Sequence, residues 1–498
     1  MTRYRHLITD DNRKWWTLGA MCFALFMVML DNTVVNVALP SIQRDLDADI
    51  GDLEWIVNGY TLTFAVLIAT GGRLGDIFGR RSMFLLGVVI FAVTSATAGL
   101  AANSEMLIAS RAVQGIGAAL MMPATLSIVT HAFPASERGK AIGTWAGVSA
   151  LALSIGPVVG GFLTQHVGWQ AIFFINLPVA VGAVLATVFA VRESRDETVD
   201  RRVDYPGVVA LTAGLTAIVL ALIEGNSWGW GSLEIIGLFG GGFAALAAFV
   251  AIELRARAPM VEFALFRTRQ FIGSTMVAFI ITFAMMGAFF FMAIYMQDIL
   301  GFGALEAGVR FLPTTMVIAA VAPLAGRLSD RLGPVWPMGF GLATLSVSMF
   351  LFSRIDTDTT YSGLLFPFIL MGLGIALVMS PMSTAAMNAV SVQKAGVASG
   401  VLQMSRMVGG TVGVAATGAI FQSQLGSGFD PASLVGGPDA ARAQFVDALG
   451  SAMLLAAAVV VVGFVVAITM LRGGRAKRPD DAAQRQAAAQ VTPAAEAG

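Results

Sequence analysis

The sequence predicts an all-α integral membrane protein with fourteen transmembrane helices, arranged as two six-helix bundles with two helices inserted between them. Three observations lead to this fold class. First, 56% of the 498 residues are hydrophobic and 12% are charged, about half the charged fraction of a soluble domain. Second, the chain divides into fourteen apolar stretches separated by polar loops. Third, a charged loop of the first half recurs in the second half, which indicates an internal repeat.

The apolar stretches are long and rich in Gly, Ala, Val and Phe, which favours helices over barrel strands. After a cytoplasmic N-terminus at 1–14, a six-helix bundle is predicted at 15–191, with spans near 15–39, 53–71, 83–102, 106–130, 141–163 and 171–191. Between cytoplasmic linkers at 192–206 and 255–270, two inserted helices are predicted at 207–254, near 207–224 and 232–254. The second bundle is predicted at 271–471, with spans near 271–296, 305–326, 337–353, 361–385, 397–422 and 447–471. The remaining segment, 472–498, is basic and then rich in Ala, Gln and Pro, which predicts a disordered cytoplasmic tail.

The distribution of basic residues predicts that both termini are cytoplasmic, because cytoplasmic loops retain Lys and Arg. With the N-terminus inside, the outer loops hold Arg44, Arg354 and Arg442. Three more basic residues fall within spans, namely Arg111, Arg310 and Arg406. Every other one of the 31 basic residues then lies in a segment placed inside. A wrong number of spans would disturb this alternation, so the pattern supports fourteen.

Composition excludes several classes of protein. The 31 basic and 31 acidic residues balance, so the sequence carries no nucleic-acid-binding signature. Cys22 is the single cysteine and the three histidines are far apart, which argues against a disulfide or a metal site. The polar N-terminus shows no cleavable signal peptide, so we expect the first span to be retained. No Gly-x-x-x-x-Gly-Lys-Ser/Thr segment is present, and we expect no cofactor: the energy source is an ion gradient.

Two charged residues lie within predicted spans of the first half. Asp31 stands well inside span 1 and Arg111 inside span 4. A charge near the centre of a membrane helix costs about 2.5–3.5 kcal/mol on insertion scales, and such residues pair with each other and often mark ion or proton pathways. We therefore expect Arg111 to approach Asp31 directly or through Gln114, and Asp31 to carry a transported proton. The alternative is a fixed structural ion pair that joins two helices.

Charged loops mark the internal repeat. Residues 72–81 follow span 2 and residues 326–333 follow span 10, and both combine glycines with an Asp and basic residues. Glycine allows helix ends to approach closely, and the Asp can bind a neighbouring Arg or a helix N-terminus. The residues assigned here to conformational change are Gly72, Asp76, Gly79, Arg80, Arg81 and Asp330.

Several segments resemble the major facilitator superfamily. The loop 72–81 resembles the signature between its second and third helices, and residues 111–118 resemble the motif of its proton-coupled exporters. Span 5 is similar to its antiporter motif, through Gly147, Gly156, Pro157, Gly160 and Gly161. Segments 30–40 and 173–178 are similar to the fourteen-span drug:proton antiporter branch. The resemblance covers nearly the whole chain, although the second charged loop lacks the double Arg.

The resemblance implies the major facilitator fold, and proton-coupling roles for Asp31 and Arg111. In span 5, Gly156-Pro157 is interpreted as a kinked pivot, and the neighbouring glycines as sites of close helix packing, a feature that an ordinary packing seam shares. Arg406 in span 13 is a third buried charge, and we assign it to the conformational motifs. It could bind an anion or a lipid headgroup, cap carbonyl groups, or pair with Asp330 or Glu262.

A substrate cavity is predicted from polar, aromatic and methionine side chains that suit promiscuous ligands, although the same residues are common in ordinary packing. The residues assigned to it are Trp55, Asn58, Tyr60, Gln114, Phe283 and Met286. Asn58 stands where some quaternary-ammonium exporters have an acid, which weakens a prediction of divalent-cation transport.

Together these observations predict a proton-coupled efflux antiporter of the plasma (inner) membrane that exports lipophilic, cationic or neutral drugs and functions as a monomer. A dedicated exporter of one metabolite, lipid or antibiotic fits the same sequence. A non-transporting membrane scaffold or sensor would have no need of the charged loops, the pivot and the intramembrane charges. A membrane enzyme is disfavoured because no nucleophile–base or metal-ligand set is evident.

Overall fold

A computed structural model describes residues 9, 12–134, 137–195, 204–256, 259, 261, 263–390, 395–425 and 439–471. These residues form helices and connecting turns, with no strand among them. A 3₁₀ turn lies at Phe263–Arg267 and a π-helical turn at Tyr295–Ile299. The α-helices are α1 (Arg13–Leu46), α2 (Ile50–Phe78), α3 (Arg80–Gly99), α4 (Ser104–Ala132), α5 (Arg138–His166), α6 (Ala171–Phe174), α7 (Asn176–Ala190), α8 (Tyr205–Trp228), α9 (Leu233–Glu253), α10 (Arg269–Ile294), α11 (Ala304–Arg310), α12 (Leu312–Leu332), α13 (Val335–Phe352), α14 (Tyr361–Asn388), α15 (Ala395–Leu425) and α16 (Asp439–Met470).

Thirteen helical segments of the described chain are long and apolar enough to cross a membrane. Spans 6 and 10 of the sequence analysis each appear as a short helix followed by a longer one, α6–α7 and α11–α12. The helix α15 is 31 residues long but is not among the thirteen. It carries several polar residues and glycines, which lower its hydropathy. The all-α membrane fold is therefore confirmed, and the count of fourteen stays a prediction. The predicted tail at 472–498 lies outside the described residues.

Local sequence signals set the helix boundaries at the turn between α1 and α2. The chain leaves α1 through Asp47, which adopts a left-handed conformation (φ 51°). The side chain of Asp49 then accepts a hydrogen bond from the Asp52 N–H at 2.7 Å, and Asp52 reciprocates, which forms a capping box at the start of α2. The end of the bundle that contains residues 47–49 is called the junction end below. In the predicted orientation it faces the outside.

The helices pack as two groups. Helices α1–α7 pack mainly against one another, and α10 and α12–α16 do the same, whereas α11 packs chiefly against α5 of the first group. Helices α8 and α9 pack on each other, and α8 also contacts α2 and α15. Glycines permit the closest contacts, as in the crossing of α3 with α4, where a Cβ at Gly87 would lie 2.7 Å from the Gly117 carbonyl oxygen. The domain boundaries inferred from the sequence stay predictions.

Several polar contacts between the two halves lie toward the junction end. Gln297 donates a hydrogen bond to the Val37 carbonyl at 2.9 Å, and the Leu305 N–H donates to Gln165 at 3.0 Å. An ion pair joins Arg44 to Asp298 at 3.9 Å. The two halves are therefore closed against each other at this end.

Candidate functional site

Asp31 and Arg111 are in direct contact inside the first half. Arg111 Nη1 lies 2.5 Å from Asp31 Oδ2, and the two side chains are 2% and 0% exposed, respectively. The structure thus brings together the two intramembrane charges that the sequence singled out. Each charge offsets the cost of burying the other, because an isolated ion in an apolar interior would be strongly destabilising.

Amide side chains complete the surroundings of Asp31. Gln114 and Asn176 each donate a hydrogen bond to Asp31 Oδ1 at 3.2 Å. Both amides also donate to the hydroxyl of Ser95, at 2.8 Å and 3.2 Å. Gln114 in turn accepts a hydrogen bond from Arg111 at 2.7 Å. Both carboxylate oxygens therefore have donors, and this set of five residues is called the Asp31 cluster below.

Backbone and aromatic groups fix the guanidinium of Arg111. Its Nε donates to the Ile56 carbonyl at 3.2 Å. Its Cζ lies 4.2 Å from the ring centroid of Tyr60 and 5.9 Å from that of Phe173, within cation–π distance. Tyr60, assigned from the sequence to the substrate cavity, is fully buried beneath the guanidinium. Helices α1, α3, α4 and α7 provide the polar side chains of the Asp31 cluster, and α2 supports Arg111.

Span 5 packs directly against the helix that carries Asp31. A Cβ at Gly156 would overlap the hydroxyl of Thr33, and one at Gly160 would lie 2.8 Å from the Cα of Val34. One at Gly161 would overlap the carbonyl of Ala304 in the other half. Helix α5, which contains Pro157 in its interior, thus touches both α1 and α11 through bare backbone.

Gly147 differs from the other glycines of this motif. The close packing expected at this position is not seen among the described residues, because none of their atoms lies within 4 Å of a Cβ built there and the residue is exposed. The physical reason is the position of Gly147 on α5, since no helix in the described part of the chain approaches that face closely.

The charged segment 72–81, where α2 meets α3, makes two polar contacts. Arg80 donates to Asp76 Oδ1 through Nε and Nη2, at 3.0 Å and 2.9 Å. The N-terminus of α3 is bound by Glu193, which accepts from the backbone N–H of Arg81 at 3.0 Å. Asp76 therefore binds the neighbouring Arg, and Glu193 binds the helix terminus. Gly79 has φ 114° and leaves room for Glu193, since a Cβ there would lie 2.6 Å from its carboxyl carbon.

Two further loop residues also contact groups across the fold. Arg81 donates to the Val188 carbonyl at 3.2 Å. A Cβ at Gly72 would lie 3.4 Å from Pro123. Gly72 of α2 therefore lies close to α4, and Arg81 joins α3 to the end of α7.

The residues assigned to a substrate cavity occupy separate places. Gln114 and Tyr60 belong to the surroundings of the Asp31–Arg111 pair, as described above. Phe283 and Met286 lie on α10 where it packs against glycines of α15, with Met286 Cγ 3.0 Å from a Cβ built at Gly410. Trp55 is half-buried against the apolar core. Asn58 is buried on α2, and neither its Oδ1 nor its Nδ2 has a hydrogen-bond partner among the described residues.

Arg406 is half-buried on α15. Its Nη1 lies 3.4 Å from Gln403 Oε1, and its backbone carbonyl accepts from Thr282 at 2.7 Å. The suggested partner Glu262 and the side chain of Asp330 lie outside the described residues.

A second polar region, between α2 and α15, was missed in the sequence analysis. Glu54, Asn58 and Thr61 lie on one face of α2 at i, i+4 and i+7. Gln422 of α15 donates to Glu54 Oε1 at 3.0 Å, and Thr411 donates to the Thr61 hydroxyl at 3.0 Å. These five residues are called the α2–α15 seam below.

The helical spacing of Glu54, Asn58 and Thr61 was a signal that could have identified the seam. Asn176 and Ser95 were also missed as ligands of Asp31. Asn176 lies in segment 173–178, which resembles the drug:proton antiporter branch, and this position in a family motif could have identified it. No feature of the sequence singled out Ser95.

Two bundles of apolar helices, with an ion pair buried in the first of them, define a multi-pass membrane transporter. Residues 21–414 match the model of the Major Facilitator Superfamily. The chain belongs to this superfamily and is a secondary transporter, not an enzyme.

Relatives named for drug resistance or export match most of the chain. It is 37% identical over 417 residues to the tetracenomycin C resistance and export protein of Streptomyces glaucescens, spanning 84% of this chain and 78% of that protein. It is 36% identical over 437 residues to a puromycin resistance protein of Streptomyces alboniger, spanning 86% of both chains. It is 34% identical over 417 residues to a multidrug resistance protein of Mycobacterium tuberculosis, spanning 83% of this chain and 77% of that one.

Solved structures agree on the fold. A bacterial homolog of the human lysosomal transporter Spinster, in an inward-facing and unoccupied conformation, superposes with a TM-score of 0.66 at 18% identity. The match covers 92% of this chain and 98% of that one. At this identity the likeness supports the fold alone.

Proposed function

We propose that this chain is a proton-coupled efflux antiporter that exports lipophilic, cationic or neutral drugs or antibiotics across the plasma (inner) membrane. It works by alternating access as a monomer, with both termini in the cytoplasm. Relatives named for multidrug resistance and for tetracenomycin C and puromycin resistance support efflux of such compounds. In the orientation proposed here, the contacts between the halves at the junction end close the transporter to the outside.

The single observation that carries the proton-coupling proposal is the Asp31–Arg111 contact. The carboxylate of Asp31 is fully buried, its charge is balanced by Arg111 of α4, and it accepts hydrogen bonds from the amides of Gln114 on α4 and Asn176 on α7. A small displacement of α4 relative to α1 would remove the cation from the carboxylate. An unpaired buried carboxylate is strongly destabilised, so binding a proton is then the favourable alternative.

This exchange provides a transport cycle. A drug enters from the cytoplasm while Asp31 is ionised and paired with Arg111. After the halves rock to the outward-open state, the drug leaves and Asp31 takes a proton from outside. Return to the inward-open state brings Arg111 back to Asp31 and releases the proton inside. The close contact of α5 with both α1 and α11 supports α5 as the element that links the site to the other half.

The proton gradient provides sufficient energy without any cofactor. One proton supplies about 1.36 kcal/mol per pH unit, and about 2.3 kcal/mol per 100 mV for each charge moved. With 1.4 kcal/mol equivalent to about a tenfold ratio, one proton can concentrate a drug tens- to hundreds-fold.

A dedicated exporter of one antibiotic is the second candidate. It is favoured by relatives whose names specify a single compound, such as tetracenomycin C or puromycin. The two candidates differ in breadth: a multidrug exporter transports unrelated lipophilic cations, whereas a dedicated exporter transports one compound.

The test is uptake of ethidium into inverted membrane vesicles, driven by an imposed pH gradient, with wild type and Asp31→Asn. We expect wild type to accumulate ethidium, a protonophore to collapse the accumulation, and Asp31→Asn to lose it. Accumulation by Asp31→Asn at the wild-type level would show that the coupling site lies elsewhere. If wild type moves puromycin or tetracenomycin C but no ethidium, the dedicated exporter is the correct reading.

A further inference from the structure

Glu54 is a second buried carboxylate, but its surroundings differ from those of Asp31. It lies one turn into α2, is 0% exposed, and faces α15 of the other half. One oxygen, Oε1, accepts from the amide of Gln422 at 3.0 Å. The other, Oε2, is buried and has no hydrogen-bond partner among the described residues.

The seam is shaped to receive this carboxyl group. A Cβ at Gly418 of α15 would overlap Glu54 Oε1, so the absence of a side chain at Gly418 creates the space for it. Below it, the buried amide of Asn58 has both polar atoms without a described partner, and Thr411 donates to Thr61. Polar groups therefore line the contact between the halves where apolar packing would be expected.

Among the described residues, the ionisable groups that act electrostatically on Glu54 are acidic. Asp49 approaches from the N-terminus of α2 and Glu224 from α8. The α15 side presents the neutral amide of Gln422. On α4, Arg111 is bound to Asp31 and to the Ile56 carbonyl. A carboxylate buried beside other carboxylates and without a cation is unfavourable, so the closed seam is compatible with the neutral acid.

We propose that Glu54 is a second proton-binding carboxylate of this transporter, which holds its proton while the α2–α15 seam is closed and releases it when the seam opens. Opening hydrates the carboxyl group, its O–H bond breaks, and the proton passes to water at the junction end. Closing takes the proton up again from the same side.

This proposal rests on the alternating access argued above, and it predicts a definite direction. Because the closed state binds one proton more than the open state, acidic conditions favour the closed seam and alkaline conditions favour the open one. For a single linked proton, the closed-to-open ratio changes by up to about tenfold per pH unit. Since Glu54 exchanges its proton with the outside only, it controls opening and adds nothing to net proton transport.

The test measures the distance between spin labels at the junction end by electron–electron double resonance. The labels are placed on Ala102→Cys and Ser423→Cys, both exposed, in full-length protein that carries Cys22→Ser. Distances are recorded in lipid nanodiscs from pH 5.5 to 8.5. The variants are Glu54→Gln, the exchanged pair Glu54→Gln with Gln422→Glu, and Glu105→Gln as a matched exposed carboxylate at the same end.

We expect a long-distance population to grow with pH in the parent protein and in Glu105→Gln. In Glu54→Gln the distance between the labels should stay short at every pH, because the glutamine side chain imitates the neutral acid. The exchanged pair should regain the pH response, since it returns one carboxyl group and one amide to the seam. An unchanged response in Glu54→Gln overturns the proposal, as does a flat response in the exchanged pair. A parent protein in which the long-distance population does not grow with pH also overturns the proposal. The role of Asp31 is tested separately by ethidium uptake, so failure of one proposal can be distinguished from failure of the other.

Discussion

The Asp31 cluster and the α2–α15 seam each bury a carboxylate of the first half, but they satisfy it in different ways. Asp31 has a cation and two amide donors, all from helices of its own half. Glu54 has one amide donor, which belongs to the opposite half. The first carboxylate keeps its partners when the halves move as rigid bodies, and the second loses its partner. A change of charge at Asp31 therefore requires rearrangement within a bundle, whereas a change at Glu54 follows from separation of the bundles.

The largest effect on stability is expected from breaking the ion pair on one side. Arg111→Met leaves Asp31 buried without its cation, and such a change costs about 3–5 kcal/mol. Thermal unfolding in detergent should show a clear decrease in melting temperature. The double variant Asp31→Asn with Arg111→Met removes both charges and should recover most of the loss. If the single and double variants are equally unstable, the pair does not stabilise the cluster as described.

An intermediate effect is expected where α5 meets α1. Gly156→Ala places a methyl group against Thr33, so α5 must move away from the helix that carries Asp31. Overpacking of this kind costs about 1–3 kcal/mol. Gly147→Ala on the same helix is the matched control, because it meets nothing within 4 Å. It should be neutral or stabilising by up to about 1 kcal/mol through helix propensity.

Equal melting temperatures for the two alanine variants would contradict the close contact of α5 with α1. The prediction also separates two residues of one motif: transport should fall in Gly156→Ala and persist in Gly147→Ala. Ethidium uptake in the same vesicles provides this second measurement.

The smallest effect is expected in the seam. Thr411→Val removes the hydrogen bond to Thr61 and keeps the shape of the side chain, which costs about 0.5–1.5 kcal/mol of the closed state. Because the bond joins the halves, the loss should appear as a larger open population in the spin-label experiment. Ser348→Ala, which removes a bond within the second half to the Pro367 carbonyl, is the control. An equal open population in both variants would show that the seam contributes nothing to closure.

Much of the fold was predictable because the bilayer imposes it. Long apolar stretches and the alternation of basic loops gave the order of the spans, and the cost of isolated intramembrane charges paired Asp31 with Arg111. The helical breaks in spans 6 and 10 were not predictable from hydropathy, because both parts of each span are apolar. The low hydropathy of α15 likewise reflects its polar residues. Only the structure shows that some of them, such as Thr411 and Gln422, contact polar residues of α2.

The site was predicted less completely, because the surroundings of each side chain depend on which helices pack beside it. Glu54 stands at the start of a span, where an acid is ordinarily assumed to face water, and only the position of α15 buries it. Asn176 approaches Asp31 from a helix 145 residues away in sequence, a contact that spacing cannot reveal. Gln114 and Tyr60 were assigned to a cavity because polar and aromatic residues suit one, yet both contact Arg111. Gly147 follows its motif but faces open space.

The central claim is that Asp31 exchanges the coupled proton, and drug-induced proton release tests it most directly. Purified protein in a weakly buffered detergent solution is mixed with ethidium, or with puromycin if ethidium does not bind, and a pH indicator reports the protons released. At a pH where part of the protein is protonated, wild type and Glu54→Gln should release protons in proportion to the bound drug, toward about one per drug as that fraction rises. Asp31→Asn should bind the drug and release none. Release from Asp31→Asn at the wild-type level would contradict the account.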